Sequence, residues 1–600
     1  MNIEIINNNS CIRFHKKLWD ASEIVLGKCF GFYQDIENGF MVANICQTSK
    51  RSIYEFIRIA FKSFSEAIAQ EYNREKFYHE LDLIYGSYNA NVDFLMQKHL
   101  PYYNSLYNHQ KDVIHEAYYK QYNFLALDMG LGKTLTSASL SRVHQIPRTL
   151  IVCPAAVKYN WFHDLKKFGF SELYFTMLDA SKRRSFKAFN ERFVIINYDI
   201  LAKYEKEICS STIGHIILDE SHSLKNHLSL RAKNIRSIVE KFPDAKITFL
   251  SGTPITNRVN DVFSYLKMIG HELGHSHKLF IDNFTIKTSG RGGDRITGGK
   301  NLNDLHLKLS NFMIRRTKEQ CLDLPEKVFL SYHFELDDYR ADYNKIITEL
   351  AEQKSISSLT GNIHSLNIIT SKAKIKGIIE LAESILETGK KVVIFGSYKD
   401  PLNTLEDYFK ERCVKIDGSV PSFTRNELVQ DFINNPEKTV FLGNMVAAGV
   451  GINLVNASDV IFLNFPLVTS ELYQAQDRLH RIGQNNSVNI HYTFCEDSVD
   501  QHIHDLLIDK EKDIVAVIDK GKEVMERGDF IQVLISKLLN RKNDLTNIIP
   551  DSSGEASAPQ EAVEAKQAPR FDKAEVSDSQ LTTTGPVVQN KVLIAPPTFL

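Results

Sequence analysis

Phe124-Leu125-Ala126-Leu127-Asp128-Met129-Gly130-Leu131-Gly132-Lys133-Thr134 is the stretch that decides how this chain is read. Four apolar residues run into a loop with alternating glycines, then into Lys-Thr and a helix-compatible segment. The order is strand, loop, helix. Backbone N–H groups of a glycine loop at a helix N-terminus make an anion site. Gly130 and Gly132 let the backbone approach phosphate oxygens closely. Lys133 is then placed for the β- and γ-phosphates of ATP, and the Thr134 hydroxyl for Mg²⁺. Asp128, Met129, Gly130, Leu131, Gly132, Lys133 and Thr134 are the candidate nucleotide-binding residues. One departure stands out: Leu127 occupies the place where this loop pattern usually has its first glycine.

Two further segments complete the chemistry. Leu218-Asp219-Glu220-Ser221-His222 reads as an apolar strand ending in two carboxylates. Asp219 is expected to ligate hydrated Mg²⁺ with Thr134, and Glu220 to act as the base that orients water. About 350 residues beyond the loop comes Gln474-Ala475-Gln476-Asp477-Arg478-Leu479-His480-Arg481-Ile482-Gly483-Gln484. Its two arginines, one helical turn apart, could reach the same phosphate from another domain. An ATP site split between two domains changes shape on hydrolysis, so the chain reads as a motor.

Outward from these motifs the organisation follows. Phe124 to Leu127, Leu150 to Val152, Val194 to Ile196, His215 to Leu218 and Ile247 to Leu250 look like buried parallel strands between helical patterns, as in a doubly wound α/β domain. The pattern resumes at Lys391 to Phe395, Val440 to Leu442 and Val460 to Leu463. The expected division is an accessory α+β domain at 1–95, a first lobe at 96–275, a helical protrusion and linker at 276–365, a second lobe at 366–544 and a disordered tail at 545–600. A mobile loop is expected at Ser289-Gly290-Arg291-Gly292-Gly293. The 600 residues are ample for two large cores, and 43% hydrophobic with 24% charged is ordinary globular composition. The formal net charge of -1 divides into -3 after residue 545 and about +2 before it, so any DNA contact must be a local groove. Eight scattered cysteines show no C-x-x-C spacing, which fits reduced thiols in a cytosol. There is no secretion signal pattern and no long apolar run, so secretion and membrane spanning are not expected.

Taken together, the motifs resemble the Swi/Snf family of helicase-like ATPases within helicase superfamily two. The resemblance covers about residues 100 to 520. It includes Gln110, Ile151-Val152-Cys153-Pro154 with Trp161, Asn197-Tyr198-Asp199, and Asp219 to His222 with Leu224-Lys225-Asn226. It continues through Leu250-Ser251-Gly252-Thr253-Pro254 with Asn257, Ile314-Arg315-Arg316-Thr317-Lys318 with Leu324-Pro325, and Asp417-Gly418-Ser419. Ala448 to Leu454 and the segment Gln474 to Gln484 close it. The short spacing from Thr253-Pro254 to Arg315-Arg316 looks most like the branch of fork-remodelling annealing helicases. The resemblance implies two RecA-like lobes around ATP. Gln110 would read the adenine edge, and Gln474 and Gly451 would help the lobes meet around nucleotide. Arg478 and Arg481 would be arginine fingers. Ser251, Thr253 and Asn257 would couple the site to a DNA groove, with Arg315, Arg316 and Lys318 as candidate DNA contacts. Asn464-Phe465-Pro466 replaces the family's frequent Trp-Asn-Pro. Duplex or forked DNA of any sequence is the implied track.

One motif is set aside. His271-Glu272-Leu273-Gly274-His275, with His277 nearby, matches the zinc-protease pattern, but Gly270 and Gly274 disfavour the helix that would align the histidines. No zinc is expected. Two rivals to the DNA translocase are a remodeller of a protein partner, captured through residues 1–95 or the tail, and a strand-separating helicase. A bacterial or phage-infected cytoplasm is the expected location, or the nucleus in a eukaryote.

Overall fold

The computed structural model describes residues 3–6, 11–15, 32–35, 40–44, 53, 74–178, 191–252, 259–290, 293–352, 356–448, 452–508, 534 and 538. Among these, four short strands, β1 (Ile3–Ile6), β2 (Cys11–His15), β3 (Phe32–Asp35) and β4 (Phe40–Asn44), form an antiparallel sheet in the order β1-β2-β4-β3. Helix α1 (Arg74–His99) follows. Its Val92 and Met96 are fully buried in one core with Val113 and Ile114 of α2 (Asn108–Tyr118). The expected boundary near residue 95 therefore falls inside a helix that packs on the first lobe.

The first lobe is built on β5 (Tyr122–Leu127), β6 (Thr149–Cys153), β7 (Phe175–Met177), β8 (Phe193–Asn197), β9 (His215–Leu218) and β10 (Lys246–Leu250). A later strand, β13 (Met313–Arg316), joins them in the order β13-β5-β10-β9-β6-β8-β7, every pair parallel. Alternate residues of each strand serve opposite faces. Phe124, Ala126, Val152, Leu218 and Phe249 face one core, and Leu125, Leu127, Ile151, Cys153, Ile217 and Leu250 the other. A sheet covered on both faces needs apolar residues at both alternations, which is why these strands read as continuous apolar runs.

The second lobe repeats the plan with β14 (Lys327–Phe334), β15 (Val392–Gly396), β16 (Cys413–Ile416), β17 (Val440–Asn444), β18 (Asp459–Phe462) and β19 (Val488–Cys495). Their order is β14-β19-β18-β15-β17-β16, again all parallel. Phe465, of the altered Asn-Phe-Pro, lies 1% exposed against Tyr492, Phe494 and His504 in this lobe's core.

Residues 276–365 differ from the helical protrusion expected. They hold helices, but also an antiparallel hairpin, β11 (Thr285–Gly290) and β12 (Gly293–Gly299); Ser289, Gly290 and Gly293 of the expected loop lie in its strands, and Arg291 and Gly292 lie outside the described residues. They also supply β13 to the first sheet and β14 to the second. These strands carry Lys, Arg, Ser, His or Gly at positions where the central strands carry aliphatics, so they lack the apolar signal. The stretch Tyr54 to Tyr72, whose aromatic pattern is expected to be helical, and the tail lie outside the described residues. No helix among those residues is long and apolar enough to cross a membrane.

Candidate functional site

β5 delivers the glycine loop to the C-terminal edge of the first sheet, and α3 (Lys133–Val143) leaves from it. Gly130 (φ 87°) and Gly132 (φ 81°) take the left-handed backbone that glycine adopts without a Cβ penalty. A Cβ at Gly132 would land on Gln110 Nε2, and one at Gly130 would stand 3.1 Å from Arg481 Cβ of the second lobe. The loop is thus clamped between a helix of its own lobe and the arginine segment of the other.

Gln110 fills that clamp from α2. Its Oε1 accepts the Tyr107 N–H at 3.1 Å, and its Nε2 donates to the Leu131 carbonyl at 3.3 Å. His109 Nε2 donates to the same carbonyl at 3.1 Å. His109 is a site residue that the sequence reading missed; its place beside Gln110 was the available signal. Leu131 itself is fully buried in the core that holds Val92, Met96, Val113 and Ile114 of α1 and α2.

Lys133 Nζ donates to Leu127 O at 2.8 Å and Asp128 O at 3.3 Å, folded back on the loop. Burial lowers its pKa, opposed by the carboxylates of Glu220, Asp219 and Asp128. Thr134 stands half-buried in the first turn of α3. In the sheet, β10 separates β5 from β9, so the loop and Asp219 start from strand ends about 10 Å apart, the width of two strand spacings.

Asp219 is held by its surroundings. Its Oδ2 accepts Trp161 Nε1–H at 2.7 Å from α4 (Lys158–Lys167), and its Oδ1 accepts the Glu220 N–H at 2.9 Å. Burial first, and Glu220 second, push its carboxyl up to about 6. Glu220 has the left-handed φ of 46°, uncommon for a residue with a side chain. Its carboxylate lies 3.2 Å from His222 Nδ1, and that nitrogen is 3.5 Å from Ser251 Oγ. Burial alone would raise the Glu220 pKa, but His222, Lys133 and Arg478 outweigh it and hold the group ionised.

The second lobe meets this site edge-on. Helix Thr469–Gln476, which carries half-buried Gln474, ends just before the arginines, so Arg478 and Arg481 sit on successive turns and not on the helix expected. Both still aim the same way: Arg478 Nη1 and Arg481 Nη1 donate to Ile452 O at 3.4 and 3.3 Å. Arg478 Nη2 lies 3.8 Å from Met129 Sδ of the glycine loop. Burial, then repulsion from Arg481, lowers the Arg478 pKa to about 10, with Glu220 opposing. Gly451, Thr253 and Asn257 lie outside the described residues.

The candidate DNA contacts Arg315, Arg316 and Lys318 each pair with a carboxylate of this chain. Arg315 Nη1 pairs with Asp128 Oδ1 at 2.6 Å, Arg316 Nη2 with Glu116 at 3.1 Å, and Lys318 Nζ with Asp477 at 2.7 Å. Lys318 is nearly buried, whereas Arg315 and Arg316 keep 24% and 30% of their side chains exposed where β13 inserts beside β5. Elsewhere, residues 272–274 form a 3₁₀ turn capped by His271, whose Nδ1 accepts the Leu273 N–H at 3.1 Å. Gly274 is packed so tightly that a Cβ would stand 2.5 Å from backbone atoms of Leu266 and Lys267.

Residues 104–388 match the SNF2-related domain, and residues 373–483 the helicase conserved C-terminal domain. Among curated proteins, the chain is 28% identical over 425 residues to a SWI/SNF-related matrix-associated actin-dependent regulator of chromatin subfamily A-like protein 1 homolog of Caenorhabditis elegans, covering 68% of this chain and 60% of that protein. It is 26% identical to the DNA annealing helicase and endonuclease ZRANB3 of Bos taurus (73% and 43% covered), and 25% identical to an uncharacterized ATP-dependent helicase of Mycoplasma pneumoniae (70% and 42%). The chain therefore spans about two fifths to three fifths of the length of these relatives. A solved Sulfolobus solfataricus SWI2/SNF2 ATPase core in complex with dsDNA is 23% identical, with 72% of this chain and 96% of that one covered, at a TM-score of only 0.34. Two all-parallel lobes, a glycine loop facing two arginines across their junction, and consecutive matches from 104 to 483 give one conclusion: the chain belongs to the SNF2-related family of helicase-like ATPases.

Proposed function

We propose that this chain is a DNA-dependent ATPase that translocates on duplex DNA and remodels DNA structures or bound proteins. The observation that carries the reading is the approach of Arg478 and Arg481 to the glycine loop across the lobe junction. A site completed by two lobes links the state of the nucleotide to the separation of the lobes.

The donor set suits a nucleoside triphosphate. Gly130 and Gly132 give the loop a left-handed backbone held between Gln110 and Arg481, and Lys133, Arg478 and Arg481 supply positive charge around it. Lys133 would leave its carbonyl partners for the β- and γ-phosphates. Glu220, kept ionised and oriented beside His222, would position and deprotonate the attacking water. Arg478 and Arg481 would neutralise charge growing on the transferred phosphoryl group. Thr134 and Asp219 would hold Mg²⁺, which supplies charge neutralisation of the phosphate oxygens; the Trp161 N–H fixes the Asp219 carboxylate for that role. Gln110 would contact the base while bracing the loop, and Gln474 and Gly451 would meet nucleotide from the second lobe. Backbone contact with DNA across both lobes would make binding insensitive to sequence.

The SWI/SNF-related and DNA annealing helicase relatives support a DNA track, and fork remodelling is the finer reading that the sequence resemblance suggests. Hydrolysis measured with and without duplex, forked and single-stranded DNA tests it. Stimulation by DNA, lost in Lys133→Ala and Glu220→Gln, is expected, and hydrolysis indifferent to every nucleic acid would move attention to a protein partner.

A further inference from the structure

Lys318 opens a one-turn helix, Lys318–Cys321, directly after β13, where the first sheet ends, and the second sheet begins nine residues later with β14 at Lys327. Its side chain is only 6% exposed and crosses to the second lobe. Lys318 Nζ pairs with Asp477 Oδ1 at 2.7 Å and donates to the His480 carbonyl at 2.7 Å. Those two residues bracket Arg478, and His480 directly precedes Arg481. From its backbone, Lys318 donates N–H to Asp128 Oδ2 at 3.0 Å, while the Asp128 carbonyl accepts Lys133 Nζ. Lys133, Asp128, Lys318 and Asp477 therefore form one continuous chain of bonds from the glycine loop to the arginines.

Two other groups touch the same turn. Lys327 lies 3.2 Å from Asp477, and His480 Nε2 donates to Pro325 O at 2.8 Å. Both come from the start of the second lobe and from the connector, so they shape the turn without tying it to the first sheet. Burial lowers the Lys318 pKa to about 8, with Asp477 opposing, which marks the pair as desolvated. Removing one partner of a desolvated pair costs far more than breaking a surface pair.

We propose that Lys318 is a positioning residue that docks the Asp477–Arg481 turn of the second lobe against the glycine loop. The proposal rests on the nucleotide reading above and deepens it. Lys318 touches no phosphate in this scheme; it sets where the arginines stand. A displacement of about 1 Å at a reacting group can cost ~100-fold in rate.

The test uses the full chain in three variants: Lys318→Met, Asp477→Asn and the double. Nucleotide affinity is read with a fluorescent ATP analogue, and turnover with saturating ATP and duplex DNA. Lobe docking is read separately, by energy transfer between labels at Glu240 and Asp400, each well exposed on its own lobe. Lys318→Met is expected to lower turnover by about 10- to 100-fold, to leave nucleotide affinity within a small factor, and to broaden the interlobe distance. The double variant should be no slower than the worse single variant. Unchanged turnover, an unchanged distance distribution, or turnover and affinity falling together would overturn the proposal. A wild-type chain that hydrolyses no ATP would count against the nucleotide reading alone, and the distance comparison would still decide the docking role of Lys318.

Discussion

Gly132→Ala and Gly389→Ala form a controlled pair. Both glycines hold a left-handed backbone, φ 81° and 77°. An alanine in that conformation costs about 1–2 kcal/mol, and the gain from a stiffer unfolded chain is common to both. Their surroundings differ. A Cβ at Gly389 meets nothing within 4 Å, whereas one at Gly132 lands on Gln110 Nε2. Gln110 must then swing away, giving up its bonds with Tyr107 N and Leu131 O. At about 1 kcal/mol each, those losses put Gly132→Ala roughly 2 kcal/mol below Gly389→Ala. Urea unfolding, followed on the transition of the lobe that carries each change, measures the difference. Nucleotide affinity should fall in Gly132→Ala and hold in Gly389→Ala. Equal destabilisation of the two variants, or affinity untouched at Gly132, would refute the clamp of Gln110 on the loop.

Other expectations follow from particular contacts. The Lys374–Asp500 pair is wholly buried at 2.7 Å, with Asp500 also accepting from Thr370 and the Cys495 N–H; Lys374→Met should destabilise the second lobe by about 3–5 kcal/mol, while an apolar replacement of both partners should recover most of that in thermal unfolding. His271 is buried with its pKa lowered to about 4, chiefly by burial, so the unfolded chain takes up a proton first and stability falls as pH drops from about 6.5 to 4. His271→Asn should flatten that acid slope in denaturation curves taken across the window. Arg316 is engaged by Glu116, so Arg316→Ala should leave the salt dependence of DNA binding where it was, against the drop of about one in slope that loss of a phosphate contact gives.

The central strands were legible because a parallel sheet covered on both faces demands unbroken apolar runs, and β5, β6, β8, β9 and β10 supply them. The motif residues were legible for a related reason: Asp219 and Glu220 sit where an apolar strand ends, and Lys133 follows a glycine loop that leaves another. The edge strands hid. Met313–Arg316 reads as surface charge because its arginines are matched by Asp128 and Glu116, residues 187 and 200 positions away. Such pairing depends on which strand lies beside β5, and local pattern carries no trace of it. The same holds for Trp161 and Asp219, brought together from 58 residues apart. The split site was inferred from the two arginines, but the Lys318–Asp477 bridge that joins its halves became visible only with the lobes in place.

The most direct measurement is the rate of ATP hydrolysis by the full chain with duplex DNA, compared for wild type, Lys133→Ala, Glu220→Gln and Arg478→Ala. A DNA-stimulated rate in wild type that collapses in all three variants, Arg478→Ala included, is the expected result, because the second lobe's arginine completes the first lobe's site. Full hydrolysis in Arg478→Ala, or a wild-type rate that ignores DNA, would contradict it.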